Sequence, residues 1–280
     1  MDSNDKIFNR SLLKKRRTRH AAQWAGHDFL KREAAARIAD ALLDVKRNFT
    51  FALDLGCHKG EVAEAISNRV PSLVGCDLAH AMSPELVCDE ERLPFAPDSF
   101  DLVVSALSLH HVNDLPGTLI QIRQVLKPDG LFIAILFGAS TLRELRTSIT
   151  GAAAEHNVAL SPRVAPMIEV RDAGSLLQRA GFALPVVDSD MITVEYDHPL
   201  KLMHELRAMG ESNILLEQRK TFTPRTEMAL VTDYYQSRFG KGGIIPASFE
   251  FITMTGWKPH ASQPQPKKRG SGTVNLKNIL

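Results

Sequence analysis

The stretch "FALDLGCHKGEVAEAI", Phe51–Ile66, decides the fold. Apolar residues around Asp54 form a short buried strand, the chain turns through Gly56, and an amphipathic helix begins after Gly60. A strand passing through glycines straight into a helix opens a strand-helix-strand unit, and the loop between them faces a ligand. Such loops usually carry glycine at alternate positions, but here His58 takes the middle place.

The same alternation continues on the C-terminal side. "SLVGCDL" (72–78), "ELVCDE" (85–90), "FDLVVSALS" (100–108) and "LFIAILF" (131–137) read as strands. "EVAEAISNR" and "PGTLIQIRQVLKPDG" read as helices, the second stopped by Pro128 and Gly130. This order predicts an α/β fold built on a parallel sheet with helices on both faces. Two helices, over 7–20 and 28–46, precede it. After Gly138 the rhythm changes. Helices are expected over 140–156, over 171–182 with Asp172 as N-cap and Gly181 past the end, over 198–210, and from Thr223 and Pro224 to 240. A strand over 185–196 is expected to break near Asp188 to Asp190, and "SFEFITMTGW" closes the sheet. The division expected is an N-terminal helical lid over 1–47, an α/β ligand-binding domain over 48–260 with a helical insertion at about 198–240, and a basic flexible tail over 261–280.

Composition narrows the class. The chain has 280 residues, 44% hydrophobic and 24% charged, with a formal net charge of +2, which suits a globular enzyme-sized domain with an elaboration. The longest apolar run, Leu131 to Ala139, is too short to span a bilayer. An odd number of cysteines, Cys57, Cys76 and Cys88, makes no disulfide framework and points to a reducing cytosol. "LLKKRRTRH" (Leu12 to His20) concentrates Lys14, Lys15, Arg16, Arg17 and Arg19. It reads as a solvated helix face rather than a nucleic-acid clamp, because no aromatic residues are interleaved. The expectation is a lid over the ligand mouth, with Phe8, Leu12 and Leu13 inward, the cations partly outward, a protein partner and no nucleic acid.

Four strand ends carry the chemistry. The first is Asp54 with Gly56, Cys57, His58 and Gly60, whose amide groups can receive a carboxylate. The second is Asp77 with Leu78, where a carboxylate can bridge two ribose hydroxyls. The third is Asp89 beside Glu90, placed to accept from an adenine amine, and the fourth is "SALSLHHVND", with Ser105, His110, His111 and Asn113. A dinucleotide needs Gly-x-Gly-x-x-Gly for its pyrophosphate, and that spacing is absent. A ligand made of an amino acid, a ribose and an adenine without phosphate suits the acidic ends, which describes S-adenosylmethionine.

Over Phe51 to Phe137, "LDLGC", "GCDLA", "LPFAPDSFDLVVSALSLHHVND" and "LKPDGLFI" resemble the successive motifs of class I S-adenosylmethionine-dependent methyltransferases. "IFNRSLLKKRR", "LFGASTLRELR", "AMGESN" and "GWKPHASQPQPKKRGSGTV" extend a more specific resemblance over nearly the whole chain, to mitochondrial complex I assembly factors of methyltransferase fold and their bacterial relatives. That resemblance implies a Rossmann-like class I methyltransferase sheet with an N-terminal helical extension and a C-terminal helical insertion. It also implies S-adenosylmethionine as cofactor and arginine hydroxylation on a subunit of NADH dehydrogenase. It raises Arg143, Arg146, Glu211 and Asn213 to substrate-side candidates beside His110, His111 and Asn113. The chain departs from the pattern at His58, where glycine is usual, and at His111, where tryptophan is frequent. The short N-terminus leaves no room for a mitochondrial presequence, so a bacterial cytoplasmic protein visiting the inner membrane surface is expected.

Several readings stay open from the residues alone. His58 either bonds the ligand carboxylate, fills the ligand's place, or lies to one side. His110 and His111 are general-base candidates or a polar rim. No Cys-x-x-Cys pair joins the cysteines to His58 as a zinc site, no two-histidine-one-carboxylate spacing is readable, and no metal is expected. The competing functions are methyl transfer to a carboxyl or carrier-linked acyl oxygen, and a non-enzymatic assembly chaperone.

Overall fold

The computed structural model describes residues 6–156, 163–264 and 271. Its strands are β1 (Phe51–Leu55), β2 (Ser72–Asp77), β3 (Leu86–Val87), β4 (Phe100–Ala106), β5 (Leu126–Phe137), β6 (Ala183–Tyr196) and β7 (Ile245–Trp257). They form one sheet in the order β3-β2-β1-β4-β5-β7-β6. The expected parallel pairing holds for β1 to β5. β7 then inserts antiparallel between β5 and β6, so the sheet is mixed. The chain winds outward in one direction from β1 and in the other from β4, and the crevice beyond their carboxyl ends is where such folds bind ligands.

Strand periodicity places the core on both faces. In β4 and β5, Leu102, Val104, Leu131, Ile133 and Ile135 face α2 (Phe29–Leu43), α3 (Glu61–Ile66) and α5 (Arg143–His156). Phe100, Val103, Phe132, Ala134 and Leu136 face α4 (Leu115–Val125) and α6 (Val170–Arg179). Every residue of β4 is buried, and each large apolar side chain so removed from water contributes about 1.5–3 kcal/mol. Between β6 and β7 the insertion carries α7 (Pro199–Ala208) and α8 (Arg225–Phe239).

Three local expectations are corrected. α4 ends at Val125, because Leu126 is already extended and pairs with Phe100, and Pro128 disfavours a helical residue before it. α6 begins after Glu169, so Asp172 lies in the first turn, where a carboxylate meets the positive end of the helix. β6 does not break: Asp188, Ser189 and Asp190 pair with Thr253, Ile252 and Phe251. These three are exposed on an edge strand, where acids stay hydrated and discourage a further strand from adding.

α1 (Arg10–His20) lies over the strand ends, capped by Asn9, which accepts from the Leu12 amide at 2.9 Å. Phe8 and Leu13 pack with Leu78, Ile214 and Leu215. The Asn9 amide donates to the Ile214 carbonyl at 2.8 Å, and the Leu216 amide to that of Ile7 at 2.9 Å. The start of the chain is thus joined to the insertion. Of the tail expected over 261–280, only 261–264 and 271 are described, so its basic run lies outside the described residues.

Candidate functional site

The β1 loop turns as its glycines require. Gly56 has φ +74°, and a Cβ there would meet the Ser108 hydroxyl at 2.1 Å; Gly60, at φ +92°, starts α3. His58 also adopts a left-handed backbone, φ 52°, without the freedom of glycine. Its buried ring stacks on Trp24 with centroids 4.6 Å apart. Its Nδ1 stands 3.0 Å from Lys31 Nζ and 2.9 Å from the Gly56 carbonyl. Burial first, then the charges of Lys31 and Arg17, drive its pKa well below the usual histidine range, so the ring is neutral. Of the three readings of His58, the one in which it lies aside is not what the geometry gives.

Cations from the N-terminal helices fill the cradle. Arg17, the largest fully buried side chain, donates to Asp77 Oδ2 and to the Ser108 hydroxyl, both at 3.1 Å, and lies 3.6 Å from Glu90. Asp77 also accepts from the Ala79 and His58 amides. Arg10 pairs with Glu90 and, at 2.8 Å, with Asp89. Burial would raise the Glu90 carboxyl, but Arg10 and Arg17 hold it down at about 2. Lys31, from α2, donates to the Gly56 and Ala106 carbonyls at 2.7 and 2.6 Å. Asp54 lies beneath with neither carboxylate oxygen partnered, and burial pushes its pKa up to about 7. The acceptors fit a ligand that offers an ammonium and hydroxyls, but in this conformation Lys31 and Arg17 stand on them. Arg17 therefore corrects the expectation of an outward-facing cation; Lys14, Lys15 and Arg19 do face solvent.

Beyond β4, the short turn Leu109–His111 places both histidine rings against Glu211, from the loop after α7. His110 Nε2 and His111 Nε2 each lie 3.3 Å from Glu211 Oε2. Burial pushes His111 down to about 3, leaving a neutral imidazole. Burial opposes ionisation of Glu211, yet the two rings hold its carboxyl down at about 2. Glu211 also ends a cleft of about 190 Å³ between α5, α7 and α8, lined by Leu145, Ile149, Met203, Leu206, Met228 and Val231.

Other candidates fall elsewhere. Asn113 holds the chain start, accepting from the Ile7 and Phe8 amides at 2.9 and 2.7 Å. The Ser105 hydroxyl donates to the Leu55 carbonyl inside the sheet, and Ser108 is the serine at the cradle. Arg143 pairs with its neighbour Glu144, and Arg146 donates to the Ala139 carbonyl; neither lines the cleft. Asn213 does line it, as do Arg163 and Arg207, which no sequence signal singled out. Cys57, Cys76 and Cys88 are buried free thiols, and among the described residues they form no ligand set with His58. Among the described residues, no helix is long and apolar enough to cross a membrane.

Residues 53–134 match the family model of a methyltransferase domain. The solved structure of YcgJ from Bacillus subtilis shares the fold, with a TM-score of 0.55 at 18% identity over 81% of this chain and 99% of that one. Fold and acidic strand ends together define an enzyme of the S-adenosylmethionine methyltransferase superfamily. The chain is 42% identical to the mitochondrial arginine-hydroxylase NDUFAF5 of Mus musculus, over 96% of its own length and 82% of that protein's. It is 30% identical to the malonyl-[acyl-carrier protein] O-methyltransferase of Methylovorus sp. (strain MP688), over 93% of each. The chain belongs to the NDUFAF5 arginine-hydroxylase family of methyltransferase-fold proteins.

Proposed function

We propose that this enzyme binds S-adenosylmethionine in the strand-end cradle and hydroxylates an arginine of a protein substrate, a subunit of NADH dehydrogenase, during assembly of that complex. The observation that carries the reading is the cleft that Glu211 lines: Leu145, Ile149, Met203 and Leu206 suit the aliphatic stem of an arginine, and a half-buried carboxylate suits its guanidinium. The arginine-hydroxylase relatives support it. Asp77 and Glu90 would take the cofactor's hydroxyls and amine, and the Gly56 and Ala106 carbonyls its ammonium, once Arg17 and Lys31 withdraw. The electrophilic methyl group of S-adenosylmethionine would serve methyl transfer; inserting oxygen into an arginine C–H bond takes a two-electron oxidant, dioxygen with an external reductant, which S-adenosylmethionine does not supply. Replacing Asp77 by Ala should weaken its binding by about 1.5–3 kcal/mol, and unchanged affinity in a calorimetric titration would remove Asp77 from the cofactor site.

Methyl transfer to a carboxyl oxygen is the second reading, favoured by the O-methyltransferase relative. Mass spectrometry of NADH dehydrogenase subunits from a strain lacking the protein separates the two. An arginine peptide lighter by one oxygen supports hydroxylation, and a carboxyl-bearing peptide lighter by one methylene supports methylation. Unaltered subunits would favour an assembly chaperone. We place the protein in the bacterial cytoplasm, meeting the inner membrane through its substrate.

A further inference from the structure

His110, His111 and Glu211 come together from sequence positions a hundred residues apart, and one ligand atom from each lies within 4.8 Å of the others. Neighbouring residues usually point apart; here the tight turn sets the two rings with centroids 4.1 Å apart and both Nε2 atoms toward one carboxylate oxygen. The side chains are 2%, 6% and 15% exposed. A carboxylate accepting two imidazole N–H groups is the simplest alternative; in either arrangement both Nδ1 atoms stay buried and unpartnered, and the convergence of both Nε2 atoms on one oxygen is what suits an ion. The two rings lie beside Phe8 and Phe137, and Glu211 is the carboxylate that both face.

We infer that His110, His111 and Glu211 bind one divalent first-row transition-metal ion at the junction of the cofactor cradle and the substrate cleft. Two imidazoles and a carboxylate are a donor set for iron(II) or zinc that covers one side of the ion and leaves positions open. The open side has somewhere to face. Glu211 lines a small cavity toward His58 and Lys31, and with His111 it lines another, of about 70 Å³, toward Thr141 and Asn213. The nearby cations do not forbid an ion, because Arg10 and Arg17 are already neutralised by Asp77, Asp89 and Glu90. This site stands on the three side chains, but it shares Glu211 with the proposed substrate contact: an ion on the oxygen that faces both rings leaves the other for the guanidinium.

The test uses the full chain, stripped with chelator and titrated anaerobically with Co²⁺ while the visible d–d bands are followed; competition with Fe²⁺ and Zn²⁺ ranks the ions. One ion per chain is expected, bound at least tenfold more weakly by Glu211→Gln and by His111→Phe, each melting as wild type does in chelator. X-ray absorption of the zinc-loaded wild-type protein should show two imidazoles on the metal, a readout that stands even where a variant fails to fold. The inference is overturned by the lack of saturable binding, by equal binding in both variants, or by a coordination shell without two imidazoles. Subunit masses report hydroxylation separately, so either idea can fail without the other.

Discussion

His58 occupies backbone space that glycine enters freely, at a cost on the order of 1 kcal/mol, and its ring is held between Trp24 and Lys31. Replacing it by Gly relieves the backbone and leaves the Lys31 ammonium freer to withdraw. S-adenosylmethionine should bind several-fold more tightly to His58→Gly in a calorimetric titration; weaker binding would mean that the ring itself holds the ligand. Asp54 makes a second prediction. Burial raises its carboxyl from 3.8 to about 7, Lys31 opposes this from α2, and Glu61, Asp77 and Glu85 add to it. A carboxyl raised on folding stabilises the native state fully below the unfolded pKa, and that contribution is lost as pH climbs through the folded one. Asp54 therefore lowers the melting temperature between about pH 4 and pH 7, against the rise that the buried neutral His58 and His111 give over the same range, and Asp54→Asn should steepen that rise. A wild-type profile retained by the variant would assign the slope to other groups.

α1 does two jobs with one sequence. Its outer face is hydrated Lys14, Lys15 and Arg19, and its inner face delivers Arg17 to Asp77 and Glu90. Breaking a buried pair by removing one partner leaves uncompensated charge, so Arg17→Met should cost about 3 kcal/mol in urea denaturation without ligand. S-adenosylmethionine should raise the variant's melting temperature more than the wild type's; an equal rise would show that Arg17 does not stand in the ligand's way. This inward arginine was not legible in the sequence, because a run of cations looks the same whether one of them finds a carboxylate or all find water. The alternating elements and the acidic ends of β1, β2 and β3 were legible, since apolar periodicity and glycine placement are local. Glu211 and Arg207 reach the cleft only through the β6 to β7 insertion, and Arg163 from the segment between α5 and α6; no local pattern encodes those paths. The continuity of β6 was hidden for a related reason: Asp188 to Asp190 look like a break until an edge position keeps them wet.

In the whole molecule, the chain start is held at two places, by Asn113 at the end of β4 and by the 214–216 segment of the insertion. Asn113→Ala should release Ile7 and Phe8. Limited proteolysis should then cut before α2 faster than in the wild type, while far-UV circular dichroism stays unchanged; equal cutting would show that the insertion alone holds the lid. The exposed cations of α1 should steer an acidic protein partner, with an association rate that falls as salt rises.

The pairing of Asp77 and Glu90 with the protein's own guanidinium groups means that the acids of the cradle are already neutralised. An incoming ligand exchanges with a tethered competitor, so its apparent affinity is a difference between two occupants of the same acceptors. That difference is adjustable from far away. A substitution at Ile214 or Leu215 that loosens the competitor's anchorage strengthens ligand binding without touching the ligand, and one that tightens it does the reverse. On the proposed reading of the cradle, the contact between the first helix and the insertion would act as a rheostat for S-adenosylmethionine.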